Sequence, residues 1–419
     1  MSEWKEIKID QLCEAIIDCV NKTAPIVDEI TPYRMVRTTN VKDGRVDLSS
    51  TNYVTGDVFR QWTRRSTLTK GDIILTREAP LGEVGKIIDG ENLFLGQRLM
   101  MYRPDSNIVD PDFLFYAFLS KEVQHQIKSF GMGSTVEHMR VGDCSEIIIK
   151  VPSLWEQQEI GKTLDILDRK ISNLRQQNET LESIAQTLFK HWFVDFDFPN
   201  EDGKPYKSSG GAMVRSDLRD IPGGWEVGKL GDEIETLGGG TPSTTVSEYW
   251  ENGDILWYSP TDLTRSKTLF SLGSEKKITK IGLEKSSAKL FSKYSLLLTS
   301  RATIGEVTIN TQDACTNQGF ITIIPNQVFS IYFLYGWLLT QVNLIKQLAS
   351  GSTFPEISKS TFRDFPFLKP DVEILIRYDQ TVKPIFQKIE TNTKQIQTLT
   401  QTRDRLLPKL MSGQLRIPE

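Results

Sequence analysis

IGKTLDILDRKISNLRQQNETLESIAQTLFKHW, residues Ile160 to Trp192, is the stretch that decides how this chain is built. After its second residue it contains neither Gly nor Pro. Ile160, Leu164, Leu167, Ile171, Leu174, Asn178, Leu181, Ala185, Leu188 and Trp192 step by four and three, a heptad seam interrupted only by the amide at Asn178. Such a seam is unfavourable in water and wants a partner. The end of the chain offers one. Tyr378, Val382, Ile385, Ile389, Asn392, Ile396, Leu399, Arg403, Leu406 and Leu410 repeat the same steps at a constant offset of 218 residues, 389 answering to 171 and 399 to 181.

The two amides select the direction of pairing. In a parallel, in-register pair Asn178 would face Ile396 and Asn392 would face Leu174, and each amide buried against an apolar neighbour would cost about 1–3 kcal/mol. With one rod reversed and Asn178 opposite Asn392, the pseudo-dyad falls at position 176, the middle of the Ile160–Trp192 span. The amides can then bond each other and fix the register. An antiparallel coiled coil is therefore predicted; the alternative is that each rod packs on the globular units or on other chains. Pro384 and Pro408 do not suit an unkinked helix interior, so the second rod is expected to be regular only between them, with Pro384 near its first turn.

The segments outside the rods repeat as well, and repeats bear on the whole architecture. KGDIILTREAPLGEVG from Lys70 answers to KYSLLLTSRATIGEVT from Lys293. LGQRLMMYRP (Leu95–Pro104) answers to TNQGFITIIP (Thr316–Pro325), and GSTVEHM (Gly133–Met139) to GSTFPEI (Gly351–Ile357). MVRTTNV (Met35–Val41) answers to WYSPTDL (Trp257–Leu263), and each half opens on a Trp-led segment, at Trp4 and at Trp225. Four motifs in one order favour duplication over two convergent domains. The reading is α+β: two pseudo-symmetric globular units separated by two long helices. Its segments are a first unit over 1–154, a first rod over 155–196, a linker over 197–224, a second unit over 225–371 and a second rod over 372–419. Residues 198–225 are rich in Gly, Ser, Pro and charge without a period, as a loop or linker is.

Bulk properties narrow the class. At 419 residues the chain holds two to three domains of about 150 residues. No apolar run of about 18 residues exists, so no membrane span is expected, and the polar start MSEWK lacks a secretion signal. Cys13, Cys19, Cys144 and Cys315 form no CxxC pair and read as reduced thiols of a cytoplasmic protein; with His125, His138 and His191 they make no metal-site spacing. The net charge of −4 counts against a uniformly basic nucleic-acid binder but leaves room for local patches such as RQWTRRSTLTK, Arg60–Lys70. The geometry points to nucleic acid all the same. A rod of 33 residues is about 50 Å long, more than one turn of B-DNA at about 34–36 Å, and two similar heads on such a spacer suit a ligand with a repeat along its length.

Three further stretches carry a family resemblance. WFVDFDFPN (Trp192–Asn200) with DGKPYKSSGGAMV (Asp202–Val214) and IPGGWEVGKLGD (Ile221–Asp232), the closing RDRLLPKLMSGQLRIPE from Arg403, and VPSLWEQQEI (Val151–Ile160) resemble the conserved regions of specificity (S) subunits of type I restriction-modification systems. The resemblance covers essentially the whole chain. It implies that each unit is a target recognition domain reading one half of a bipartite site in double-stranded DNA, and that the helices set the gap and dock two modification subunits. Those are adenine methyltransferases using S-adenosylmethionine. Restriction subunits, translocases and nucleases that use ATP and Mg, would join outside that core. No cofactor is implied for this chain.

Chemistry of its own is hard to find in the sequence. There is no G-x-x-x-x-G-K-[ST] loop and no Asn/Asp-Pro-Pro-aromatic run of the kind amino-methyltransferases use. Asp72, Glu78 and Glu83 near Lys86 make only a loose acidic grouping, and Ser295 and Arg301 replace the first two in the second half. The expectation is a non-catalytic binding subunit. The alternatives are a specificity chain serving a fused cutting-and-methylating partner, or a self-sufficient methyltransferase or nuclease.

Candidate DNA contacts come from repeat-matched polar positions and basic clusters: Arg34, Arg37, Thr38, Arg60, Arg64, Arg65, Arg77, Arg98, Ser134 and Thr135 in the first unit, and Ser259, Thr261, Arg265, Lys267, Arg301, Gln318, Ser352 and Thr353 in the second. Arg suits bidentate contact with guanine, whereas Lys, Ser and Thr more often hold phosphate. Gln97 and Gln318 match across the repeat, and equal residues in units that read different sequences suggest a structural role. Trp155, Phe189, Trp192 and Phe193 near the first rod, and Leu407, Leu410 and Met411 in the second, are candidate contacts for the modification subunits; packing of rod against head is the other reading.

Overall fold

A computed structural model of the chain describes residues 4–131, 137–349 and 355–417. It divides into two compact units, one comprising Met1–Ile171 with Thr398–Glu419 and the other Ser172–Gln397. The boundaries fall inside two long helices, Leu154–Phe189 and Val372–Met411.

In the first unit a four-stranded antiparallel sheet runs in the order Cys13–Asp18, Leu99–Pro104, Ile73–Arg77, Leu81–Lys86. A second sheet places Arg34–Val36 between Asn52–Tyr53, antiparallel to it, and Leu93–Leu95, parallel to it. Lys5–Lys8 pairs antiparallel with Ile148–Val151, the strand that leads into the first long helix. The helices Pro111–Leu119 and Lys121–Ser129 follow the main sheet.

The second unit repeats this order strand for strand. Glu235–Gly238, Phe320–Ile324, Leu296–Thr299 and Val307–Asn310 form its main sheet, with Phe270–Ser271 added at one edge. Ile255–Tyr258 lies between antiparallel Lys276–Ile278 and parallel Ala314–Thr316. Glu226–Lys229 pairs with Pro366–Lys369, which leads into the second long helix. Two sheets with the same neighbours in the same directions make convergence an untenable account of the repeat.

The motif Thr-x-x-Ala-x-x-Gly-Glu-Val is a locked hairpin. In the first unit the Thr76 hydroxyl donates to the Pro80 carbonyl at 2.6 Å and accepts from the Glu83 amide at 2.9 Å. In the second unit Thr299 donates to the Thr303 carbonyl and accepts from Glu306 at 2.9 Å. Gly82 and Gly305 both sit at φ +95°, where a side chain would be strained.

Within each unit the long helices run in opposite directions. In the second unit Asn392 Nδ2 donates to Asn178 Oδ1 at 2.9 Å, and the rings of Trp192 and Tyr378 lie 5.6 Å apart. In the first, Arg403 Nη1 donates to Asp168 Oδ1 at 2.7 Å, and Arg416 Nη2 to Glu156 Oε2 at 2.7 Å. Every seam position named from the sequence is buried or half-buried.

Two expectations are corrected. Pro384 and Pro408 do not bound the second helix; both lie inside it. A helix-interior Pro costs about 3 kcal/mol. Tyr378, Val382, Phe386 and Ile389 are all buried around Pro384, and each such side chain contributes about 1.5–3 kcal/mol, so burial prevails. Both prolines face solvent, where the carbonyls they leave unbonded can be hydrated. The segment 197–224, read as irregular, is folded. Met213–Arg215 pairs with Asp220–Pro222, and Tyr206, Phe198 and Trp225 stack at 4.7 and 5.2 Å. The first helix ends in a π-turn, Lys190–Val194, whose Phe193 and Val194 carbonyls accept from the Arg219 guanidinium at 3.1 Å each. A residue distant in sequence thus satisfies the open carbonyls of the helix end.

Candidate nucleic-acid interface

Parallel strands end on the same side of a sheet, and this gathers several of the candidates. In the first unit Arg37 and Thr38 follow Arg34–Val36, and Gln97 and Arg98 follow its parallel neighbour Leu93–Leu95. The Gly96 amide donates to the Val36 carbonyl at 2.7 Å, which holds the two strand ends together. The tip of the locked hairpin joins them, since the Arg77 amide donates to the Arg98 carbonyl at 2.8 Å. In the second unit Ser259 and Thr261 follow Ile255–Tyr258 and Gln318 follows Ala314–Thr316. There the Ser300 amide donates to the Gly319 carbonyl at 2.8 Å.

Both frames carry the same supports. Thr23 donates to Gln97 Oε1 at 2.9 Å, and Thr241 to Gln318 Oε1 at 2.7 Å. The hairpin tip is clasped from the far side by the Met139 amide, which donates to the Arg77 carbonyl at 2.9 Å, and by the Ile357 amide, which donates to the Ser300 carbonyl at 3.0 Å. Ala79 (φ 52°), Ala302 (φ 64°) and Arg98 (φ 69°) occupy the left-handed region without being glycine. Such residues cost free energy and persist where the surroundings dictate them, often at functional sites.

The other candidates divide by what they touch. Arg77 donates to the Met139 carbonyl at 3.0 Å, and its Nε is buried without a partner among the described residues. Ser259 is likewise occupied, as the cap of the helix Pro260–Ser266, its hydroxyl donating to Asp262 at 2.7 Å. Arg37 reaches the Ser50 carbonyl at 2.7 Å, and Arg34 and Thr38 are half-buried. Arg64 is exposed beside Arg65, which pairs with Asp18; Arg60 pairs with Asp57 on its own helix. Arg265 pairs with Glu275 at 2.7 Å, while Thr261 and Lys267 are exposed. Arg98 pairs with Glu78 and Arg301 with Glu356. Ser134, Thr135, Ser352 and Thr353 lie outside the described residues.

The partner-contact candidates are largely corrected. Phe189, Trp192 and Phe193 are buried in the core of the second unit against Phe333, Tyr378 and Trp225, and Leu410 and Met411 are buried in that of the first. They have no apolar area left to offer. Trp155 is exposed and Leu407 half-buried. Read from sequence, aromatic residues flanking a seam do not reveal whether their own domain or another chain covers them.

The loose acidic grouping is dispersed into separate bonds. Asp72 accepts two bonds from Arg103 at 2.8 and 2.7 Å, Glu78 pairs with Arg98, and Glu83 accepts from the Asp43 amide. Lys86 pairs with Asp112 and Asp165. Among the described residues no group of three or more His, Cys, Asp or Glu side chains converges as a metal would need. One titratable group stands out elsewhere. Glu182 lines a cleft of about 170 Å³ with Lys267, Glu306 and Tyr335, and burial, followed by the nearby Glu179 carboxylate, pushes its pKa up to about 7. Sequence reasoning missed Glu356, Thr23 and Thr241, and placed Glu78 only in the acidic grouping. The exchange of charge between repeat-matched Glu78 and Arg301 was the available signal.

Comparison with known proteins agrees with this architecture. The family model described as the type I restriction modification DNA specificity domain matches residues 1–183 and 222–402. The MjaIX type I restriction enzyme specificity subunit of Methanocaldococcus jannaschii is 32% identical over 358 residues, covering 84% of this chain and 79% of the relative. The HindI specificity subunit of Haemophilus influenzae is 27% identical, covering 84% and 88%. The crystal structure of a type I restriction-modification S subunit from M. genitalium shares the fold, with a TM-score of 0.58 at 20% identity over 97% of this chain and 96% of that one.

Proposed function

This chain belongs to the family of type I restriction-modification DNA specificity proteins, and from that premise we propose that it is the non-catalytic subunit that gives a modification and restriction complex its target. Each unit reads one half of a bipartite site in double-stranded DNA. The paired helices set the interval between the halves and dock two adenine methyltransferase subunits, which carry S-adenosylmethionine. Restriction subunits that use ATP and Mg act through the same target, in the cytoplasm. The observation that carries this reading is the duplication itself: two units with one strand order, joined by helices whose buried Asn178–Asn392 bond supports a single register.

The test is co-expression of the full chain with its modification subunits in a host free of adenine methylation, followed by mapping of methylated sites. A single two-part motif of constant gap is expected, with no methylation from the chain alone. Product from the purified chain alone, or a continuous motif, would refute the reading.

A further inference from the structure

The duplicated frame acts as an internal control. The backbone bonds, the locked Thr, the Thr–Gln pair and the left-handed Ala recur in both units, so whatever must be equal is held equal. The residues carried on that frame are not equal. Glu78, Arg98 and His138 of the first unit correspond, through the same backbone bonds, to Arg301, Gly319 and Glu356 of the second. A device for holding phosphate, needed identically by both units, would keep the same charge at the same place.

Each frame nevertheless carries one guanidinium beside one carboxylate. Arg98 Nε lies 3.4 Å from Glu78 Oε2, and Arg301 Nε lies 3.8 Å from Glu356 Oε2. In both pairs the closest approach is at Nε, and neither arginine has an Nη hydrogen bond to a described residue. An arginine approached by a carboxylate at its Nε side can still present two N–H donors, the pattern that matches guanine O6 and N7 in the major groove. The neighbouring carboxylate also offsets its charge, which weakens attraction to phosphate and leaves directional hydrogen bonding as the main interaction.

We infer that Arg98 and Arg301 each read one guanine, presented by Glu78 and Glu356 as positioning residues. The arginine springs from the loop after Leu93–Leu95 in one unit and from the hairpin tip in the other. The two guanines therefore fall at different offsets within their half-sites. This rests on the specificity-subunit reading above.

The experiment uses the full chain assembled with its modification subunits. Methylated motifs are mapped for wild type, Arg98→Ala, Arg98→Lys, Arg301→Ala, Glu78→Gln and Glu356→Gln. Binding is measured on duplexes carrying 7-deazaguanine at single positions. Arg98→Ala relaxes one guanine of one half-site and leaves the other half intact; Arg301→Ala does the converse. Arg98→Lys keeps the charge but not the fork, and relaxes the same position. Glu78→Gln and Glu356→Gln weaken discrimination at the same two positions. In wild type, 7-deazaguanine at the read position costs about tenfold to a hundredfold in affinity; in the Ala variant it costs nothing further. Half-sites lacking a G·C pair, or Ala variants that keep the full 7-deazaguanine penalty at every guanine, overturn the inference. A wild-type complex without a two-part motif would instead sink the underlying reading.

Discussion

Replacing Asn392 by Leu tests the register device directly. Asn392 is fully buried and Asn178 nearly so. Nδ2 of Asn392 reaches Asn178 Oδ1 at 2.9 Å and Gln177 Oε1 at 3.3 Å, while Nδ2 of Asn178 reaches Thr393 Oγ1 at 3.4 Å. Asn392→Leu removes the donor to Asn178 Oδ1 and strands that oxygen against a methyl group, for a loss of about 1–3 kcal/mol. Asn178→Leu leaves Asn392 with its bond to Gln177, so the loss is nearer about 1 kcal/mol. With both residues replaced no amide is stranded and two apolar side chains meet, so the double variant unfolds close to wild type or somewhat above it. The coupling between the two changes is about 2–4 kcal/mol, measured as shifts of the denaturant midpoint at constant slope, followed by circular dichroism. Losses that add to within about 0.5 kcal/mol would show that the amides do not depend on each other, and the register argument would fail.

Three other outcomes are expected. Arg64→Ala with Arg65→Ala weakens DNA binding by the assembled complex on every sequence alike and lowers the slope of log affinity against log salt by about 1–2; an unchanged slope removes this patch from the interface. Gly336→Ala places a methyl 2.2 Å from the buried Phe189 ring and destabilises by about 1–3 kcal/mol in thermal unfolding, with part recovered by Phe189→Leu; full stability would mean the helix Ile331–Leu348 does not press on that ring. Glu182 has a folded-state pKa of about 7 against an ordinary 4.5, so the native state holds its proton more tightly and stability falls as pH rises from about 4.5 to about 7. Glu182→Gln therefore raises the unfolding temperature at pH 8 more than at pH 5, and equal effects at both would contradict its burial.

The heptads, the amide pair and the ordered motifs were legible because each is a local pattern with one economical solution. That both units share one strand order follows from the repeat, but the order itself and the reasons for its motif residues did not show in sequence. Thr76 and Thr299 lock a hairpin, which only the carbonyls of Pro80 and Thr303 reveal. Pro384 and Pro408 were misread because propensity is a local preference and burial of Tyr378, Val382 and Phe386 overrides it. For Phe189, Trp192 and Phe193 the sequence leaves partner contact and packing of rod against head both open, because burial within one's own domain leaves no mark in an amphipathic period. Of the candidate interface, several positions matched across the repeat converged on one side of a sheet, while capping and backbone-bonded residues such as Ser259 and Arg77 could be sorted only by their bonds.

The prolines of the second long helix lack the amide hydrogens that would bond the Gln380 and Asp404 carbonyls. The rod is thus weakest one turn before each of them and tightest around Asn392. Amide hydrogens there should be the slowest of this helix to exchange with deuterated water, while the stretches beyond each proline open in separate, shallower steps.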